Sequence, residues 1–286
     1  MHTSVLVDEV LHFLKPESNG NFIDCTAGSG GHSKSILGKT EPKGKVLAFE
    51  WDKDLYKLLK KKEDKRFSVV NESYTNLKEV VDREAFYPVN GILFDLGFSS
   101  FHVDESKRGF SFMRDEVLDM RYNREILLTA KEIVNKAKEK DLFYILKNYG
   151  EEEYAGRIAK KIVFRRENKP IKNTGDLVKI VESAVPEEYK ERRMHCATKT
   201  FQAIRIAVNA ELLNLKAALP QALEILEKGG RIVVICFHGG EEEIVKSFFK
   251  KSNVEIITKS PTNPAEEEIN KNVRSRSAKL YAVTKK

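Results

Sequence analysis

Cysteine is scarce: three in 286 residues, with Cys25, Cys196 and Cys236 far apart. They make neither a disulfide framework nor a close-spaced metal pair, so a reducing compartment is expected. Long apolar runs are missing too; none approaches the roughly 20 residues that cross a bilayer. The opening MHTSVLVDEVLHFLKPE sets acids among its apolar residues and lacks the basic end and cleavage pattern of a secretory signal. A cytoplasmic protein with no membrane partner is the expectation. The six histidines, His2, His12, His32, His102, His195 and His238, show no H-E-x-x-H and no dense ligand cluster. No metal is expected. Internal repeats and long low-complexity segments are absent as well.

What the chain does have is charge and a recurring pattern. A hydrophobic share of 41% and a charged share of 33% suit a globular protein. Fifty basic against 43 acidic side chains leave a formal charge of +7, compatible with an anionic partner without requiring one. Val7, Val10, Leu11 and Leu14 recur at helical spacing, with Pro16 as a stop. NFIDCTAGSGGHSKSIL reads as strand, glycine turn and helix start. Strands follow at 44–52, 66–74 and 90–97 with helical stretches between them, the rhythm of an α/β unit with a largely parallel sheet.

After residue 102 the strands stop. EILLTAKEIVNKAKEKDLFYILKNYG, EEEYAGRIAKKIVFRRE and NTGDLVKIVESAVP are helical in pattern, the last with Thr174 as N-cap and Pro186 as terminator. The α/β pattern resumes with Ile204, Val208, Leu212, Leu215, Leu219, Leu223 and Leu226. These predict one long helix, kinked near Pro220 and ended by Gly229-Gly230. RIVVICF at 231–237 is a central strand; a helix at 241–250 and strands near 254–258 and 279–283 complete the layer. The expected division is 1–102 and 199–286 for one discontinuous domain, with an all-helical insert at 103–198.

DCTAGSGGH allows close backbone approach to a ligand at Gly28, Gly30 and Gly31. A P-loop is excluded by the missing lysine-serine or lysine-threonine ending. The dinucleotide pattern G-x-G-x-x-G fails because Ser33 stands where its last glycine belongs. Glu50 closes VLAFE about twenty residues after the turn, where a carboxylate can accept both hydroxyls of a ribose. A small-residue turn, a ribose acid and no pyrophosphate loop fit S-adenosylmethionine, while ordinary loop acids at Glu50, Asp52 and Asp54 are the plainer alternative. Tyr74 can stack on adenine or simply pack at a strand end. Asp95 ends the fourth strand, and ligands on open α/β sheets bind beyond the carboxyl ends of the strands. An acid there can orient an amine and later receive its proton.

The blocks HTSVLVDEVL, DCTAGSGGHS, GILFDLGFSS, RGFSF, LDMR, HCATKTFQAIRIAVNAEL, GGRIVVICFH and VRSRSAKL follow one another in order. In this succession, which runs nearly the whole length, the chain resembles the MraW family of ribosomal RNA small-subunit methyltransferases. The resemblance implies a Rossmann-like class I S-adenosylmethionine-dependent methyltransferase sheet with an inserted all-helical domain. It also implies methylation of a decoding-centre cytidine N4 in 16S rRNA within the small ribosomal subunit. Carried over by position, it implies cofactor contacts at Gly30, Gly31, His32, Glu50, Tyr74, Asp95 and His102, with Asp95 also catalytic. The chain departs from the family with Glu50 for aspartate, His102 for glutamine, FHGGEEE at 237–243 for FHSLEDR, and LDMRYN for an ending in methionine and aspartate.

On the RNA side, Arg157, Lys160, Lys161, Arg165, Arg166, Lys169 and Lys172 crowd a short span. The first three share one helical side with Arg165 near them, suited to backbone phosphates or simply to solvent. Arg192-Arg193, Arg274 and Arg276 add further basic candidates, and Arg108, Arg121 and His238 lie within the family blocks. Phe110 and Phe112 can face an unstacked base or pack in a core. Two other readings stay open from the residues: a ribosome-associated RNA-binding protein with a degenerate site, and an amino-group methyltransferase acting on another RNA or a protein.

Overall fold

A computed structural model describes residues 4–62 and 64–286; His2 lies outside the described residues. The chain divides into two compact units, one running to Ser99 and again from Leu212 to Lys286, the other Ser100–Glu211.

The first unit is built on a seven-stranded sheet of β1 (Phe22–Asp24), β2 (Val46–Phe49), β3 (Phe67–Val70), β4 (Val89–Asp95), β5 (Leu226–Cys236), β6 (Val254–Ile256) and β7 (Lys279–Lys285). Its order is β3-β2-β1-β4-β5-β7-β6. Strands β1 to β5 are parallel, while β7 runs antiparallel to both β5 and β6. This is the class I methyltransferase arrangement. Both faces are covered, so the central strands are apolar throughout rather than alternating with polar residues. Successive side chains still part to opposite faces: Ile92 and Phe94 join one core with Ile232 and Val234, while Leu93, Val233 and Ile235 join the other. On the second face a Cβ at Gly91 would lie 2.7 Å from the Phe22 ring and 2.9 Å from Leu14. The glycine lets β1 and helix Val7–Leu14 close over β4.

The second unit is helical, with one isolated antiparallel bridge between Val117 and Asn173. Leu142, Leu146, Ile158, Ile162, Leu177, Val181, Phe201, Ile204 and Val208 meet in its core. Asn173, not Thr174, is the N-cap of helix Thr174–Ala184: its side chain accepts from Asp176 N. Thr174 is instead buried, accepting from Glu116 N and donating to Arg114 O. No helix among the described residues is long and apolar enough to cross a membrane.

The expected long helix is two, and the second unit extends to Glu211 where the pattern placed the insert's end at 198. The break is at Ala210, left-handed at φ 51°, after helix Thr198–Asn209. Pro220 sits inside helix Glu211–Ile225 without ending it, leaving one carbonyl without its intrahelical donor. Side chains hold the break. Asn209 accepts from Tyr122 N at 2.8 Å and donates to Met120 O at 2.8 Å. Arg205 grips Glu211 through two bonds of 2.9 and 3.0 Å, with both residues buried. Glu211→Ala leaves the guanidinium buried without its acid and should cost about 3–5 kcal/mol. Urea unfolding followed by circular dichroism measures this; an unchanged midpoint would rule the pair out as what fixes the break.

Candidate active site

Parallel strands deliver their carboxyl ends to one edge. Asp24 is level with Ala48 on β2 and Leu93 on β4, so three loops open together. Backbone pairing continues past β1, with Cys25 N donating to Leu93 O and Ala27 N to Phe49 O. The turn then needs left-handed residues, Gly28 at φ 55° and Gly30 at φ 82°, the latter as N-cap of helix Gly31–Lys39. That cap has no side chain to offer the helix's first N–H groups, and Ser4 and Lys62 approach the turn at Gly31 and Gly30.

Buried acids hold the turn in place. Asp24 accepts from Thr26 N at 3.1 Å and from Ser33 Oγ at 2.6 Å. Burial pushes its carboxyl upward despite these bonds. Thr26 Oγ1 in turn accepts from Asp95 N at 2.7 Å, tying the glycine turn to the end of β4. Glu50 accepts from Gly28 N at 2.8 Å with one oxygen and from Asp52 N at 2.7 Å with the other. Its burial pushes it up to about 8, against the pull of these N–H donors. Asp24, Thr26 and Ser33 were not among the expected site residues. The spacing of Asp24 and Thr26, an acid two residues before the N–H it accepts from, was a readable turn signal.

Asp95 is one-fifth exposed, with Oδ2 3.4 Å from His32 Nε2. That is an ion-pair contact, longer than a well-formed hydrogen bond. Asp95 Oδ1 and both His32 nitrogens have no hydrogen-bond partner among the described residues. Burial alone would lower the His32 pKa. The closeness and charge of Asp95, then the charges of Asp24 and Glu268, outweigh it and hold the imidazole above its usual value. Past Asp95 the chain turns at Gly97, φ 97°, with the Phe237 ring beside it. Tyr74 follows β3 on a turn capped by Ser73, and its half-buried ring stands edge-on to Phe94 at 5.7 Å.

The structure thus brings Gly30, Gly31, His32, Glu50, Tyr74 and Asp95 into one unit, around the carboxyl edge of one sheet. His238 and Arg274 and Arg276 belong to the same unit. His238 caps helix Gly239–Lys251 and lies 3.1 Å from Glu241, while the two arginines are exposed. His102 belongs to the helical unit, buried against the rings of Phe110 and Tyr122.

Four residues of the helical unit expected to contact RNA make internal contacts in this structure. Arg108 is buried and donates to the carbonyls of Arg121 and Tyr122. Phe110 is buried and stacks on Tyr122; Phe112 stacks on His195 and packs on the helical core. Arg121 pairs with Asp119 and donates to the carbonyls of Arg124 and Ile126. Their neighbours, not their residue types, decided this. On helix Ala155–Asn168, Arg157, Lys160 and Arg165 are exposed and Lys161 half-buried, whereas Arg166 donates to Val134 O.

The family model described as the MraW methylase family matches residues 1–286. The chain is 47% identical to a ribosomal RNA small subunit methyltransferase H from Sulfurihydrogenibium azorense, covering 98% of this chain and 97% of the relative. It is 41% identical to one from Clostridium botulinum, over 99% and 98% respectively. Among solved structures, an rRNA methylase from Streptococcus thermophilus aligns over 100% of this chain and 98% of its own at 12% identity, TM-score 0.45. That likeness is too distant for any residue-level comparison.

The buried Glu50 sets a pH signature. Its folded pKa lies above its ordinary value of 4.5, so its contribution to stability is fully present below 4.5 and is lost as pH rises through about 8. Within that window the loss runs at about 1.4 kcal/mol per pH unit. Thermal melts of the ligand-free protein between pH 6 and 9 should fall more steeply for wild type than for Glu50→Gln. Parallel curves would show that Glu50 does not titrate there.

Proposed function

Because the chain belongs to the MraW methylase family, we propose that Asp95 is the group that holds the exocyclic amine of its target cytidine. The chain is an S-adenosylmethionine-dependent methyltransferase acting on the N4 amine of a cytidine in 16S rRNA. The finer reading, supported by the family's substrate, is a decoding-centre cytidine reached within the small ribosomal subunit, in the cytoplasm.

The residues present fit the cofactor. S-adenosylmethionine supplies an electrophilic methyl group on a sulfonium. Glu50 would accept the ribose hydroxyls with the lone pairs left over from Gly28 and Asp52. The first turn at Gly30, Gly31 and His32, with no side-chain cap of its own, would suit the carboxylate of the amino-acid tail. Tyr74 would border the adenine.

The observation that carries the reading is the Asp95 carboxylate, one-fifth exposed at the end of its strand and beside His32. Its exposed part can accept an N–H of the cytidine amine and so aim the nitrogen lone pair. Positioning of this kind accounts for much of the rate in an in-line displacement. A carbonyl of the Leu96-Gly97 turn would hold the amine's second N–H. Once the nitrogen carries the methyl as well as C4 and both hydrogens it is cationic and acidic, and Asp95 receives the departing proton. His32, held above its usual pKa beside Oδ2, balances the carboxylate's charge. Arg157, Lys160, Lys161 and Arg165 would meet RNA phosphates.

Asp95→Asn keeps the shape but replaces an acceptor with a donor. N4-methylcytidine formed on 30S particles, read by nucleoside mass spectrometry, should fall about 100-fold or more. Binding of S-adenosylhomocysteine should persist. Undiminished product from the variant would overturn the assignment of Asp95, and RNA binding by wild type without product would favour a degenerate site.

A further inference from the structure

Helix Ala155–Asn168 carries five basic residues, Arg157, Lys160, Lys161, Arg165 and Arg166, against one acid, Glu167. On the same surface two large aromatics are left in solvent: Phe143 is 46% exposed and Phe164 59%. Burial normally removes such rings from water, and isolated ones need no explanation. These two are not isolated from charge. Lys161 Nζ stands 5.9 Å from the centre of the Phe164 ring, a cation–π distance.

Phe143 reaches this helix at Gly156. A Cβ built there would find only the Phe143 ring within 4 Å, at 3.9 Å, so packing does not demand glycine at this point. Alanine would favour the helix more. The bare backbone leaves the ring's surroundings open. Gly156, Lys160 and Phe164 follow at intervals of four along one side of the helix, so Phe143 and Phe164 mark positions about 12 Å apart along its axis. Exposed Lys160 lies midway.

We propose that Phe143 and Phe164 are stacking platforms for two bases of an unpaired RNA strand, with Lys160 meeting a phosphate between them. Aromatic rings interleaved with cations are how single strands are held without reading sequence, since every base offers a π-face. The excess of positive charge favours this occupant over a second copy of the chain, which would press like charge against like. The proposal rests on the reading of the chain as an RNA methyltransferase. It adds a surface that engages RNA apart from the residues assigned to chemistry.

The test uses the full-length protein and a fluorescein-labelled twelve-nucleotide oligouridylate, read by anisotropy. Each of F143A and F164A should weaken binding about tenfold, and F143W/F164W should restore it. K160A should instead flatten the dependence of log affinity on log salt by about 0.7, one phosphate's share on a single strand. In the double alanine variant the melting temperature and S-adenosylhomocysteine affinity should stay as in wild type, while KM for 30S particles rises and kcat holds. A folded F143A/F164A protein that binds the oligonucleotide within twofold of wild type would overturn the proposal. So would a wild-type dimer that this variant splits into monomers, since the face would then belong to a second copy. If wild type makes no N4-methylcytidine yet the aromatic variants lose oligonucleotide binding, the methyltransferase reading fails and the stacking surface stands.

Discussion

One hydrogen bond organises the candidate site: Asp95 N to Thr26 Oγ1, at 2.7 Å. It joins the ends of two adjacent parallel strands after their own ladder has stopped. Through Thr26 N the tie passes to Asp24, and through Asp24 to Ser33 on the following helix. The glycine turn, the helix it opens and Asp95 therefore share one rigid frame. With its backbone fixed, Asp95 can leave one carboxylate oxygen unpartnered and still keep its place. Four acids, Asp24, Glu50, Asp52 and Asp95, gather along this edge. Burial raises Asp24 and Glu50, and His32 approaches Asp95 as a counter-charge. The frame is thus costly as structure, which is the usual condition of a site prepared for a charged ligand.

In the helical unit, polar groups do a different job. The ring cluster of His102, Phe110 and Tyr122 and the bonds around Arg108 shape a segment with little regular structure. Irregular backbone must find partners for its carbonyls, and Arg108 and Arg121 provide several. A guanidinium with five donors suits that task as well as it suits phosphate. A regular helix satisfies its own backbone, so basic residues on it are free of that task unless, like Arg166 with Val134 O, they reach a carbonyl of another segment. This separates Arg157, Lys160 and Arg165, which face solvent, from Arg108, which does not.

The sheet was legible because its signals are local. Apolar runs such as RIVVICF, separated by helical periods, locate β4 and the end of β5, although β5 already starts at Leu226 and takes in Gly229-Gly230, expected to end a helix; DCTAGSGGH announces its turn by composition. The break at Ala210 was not legible. Ile204, Val208, Leu212 and Leu215 keep one apolar period across it, and its cause is Asn209 reaching Tyr122 and Met120 and Arg205 gripping Glu211 across the break. The breaker visible in sequence, Pro220, is absorbed into a helix. At the site, Glu50 and Asp95 could be read from strand ends. The approach of His32 to Asp95, sixty-three positions along the chain, depends on β1 and β4 lying side by side. Nothing in either local sequence states that adjacency.

The departure FHGGEEE from the family's FHSLEDR looks at first like the loss of a functional turn. The geometry shows how this chain keeps the turn closed. His238 accepts at Nδ1 from Glu241 N, and Glu241 accepts from Phe237 N at 2.8 Å, a reciprocal arrangement at the start of helix Gly239–Lys251. Glu242 takes bonds from Lys279 and Tyr281 on β7, and the Lys279 bond above all pulls its carboxyl down to about 2. The first turn of this helix is therefore anchored both to its own cap and to the sheet. Neither a serine nor an arginine is needed to hold Phe237, and with it the ring beside Gly97, two residues past Asp95.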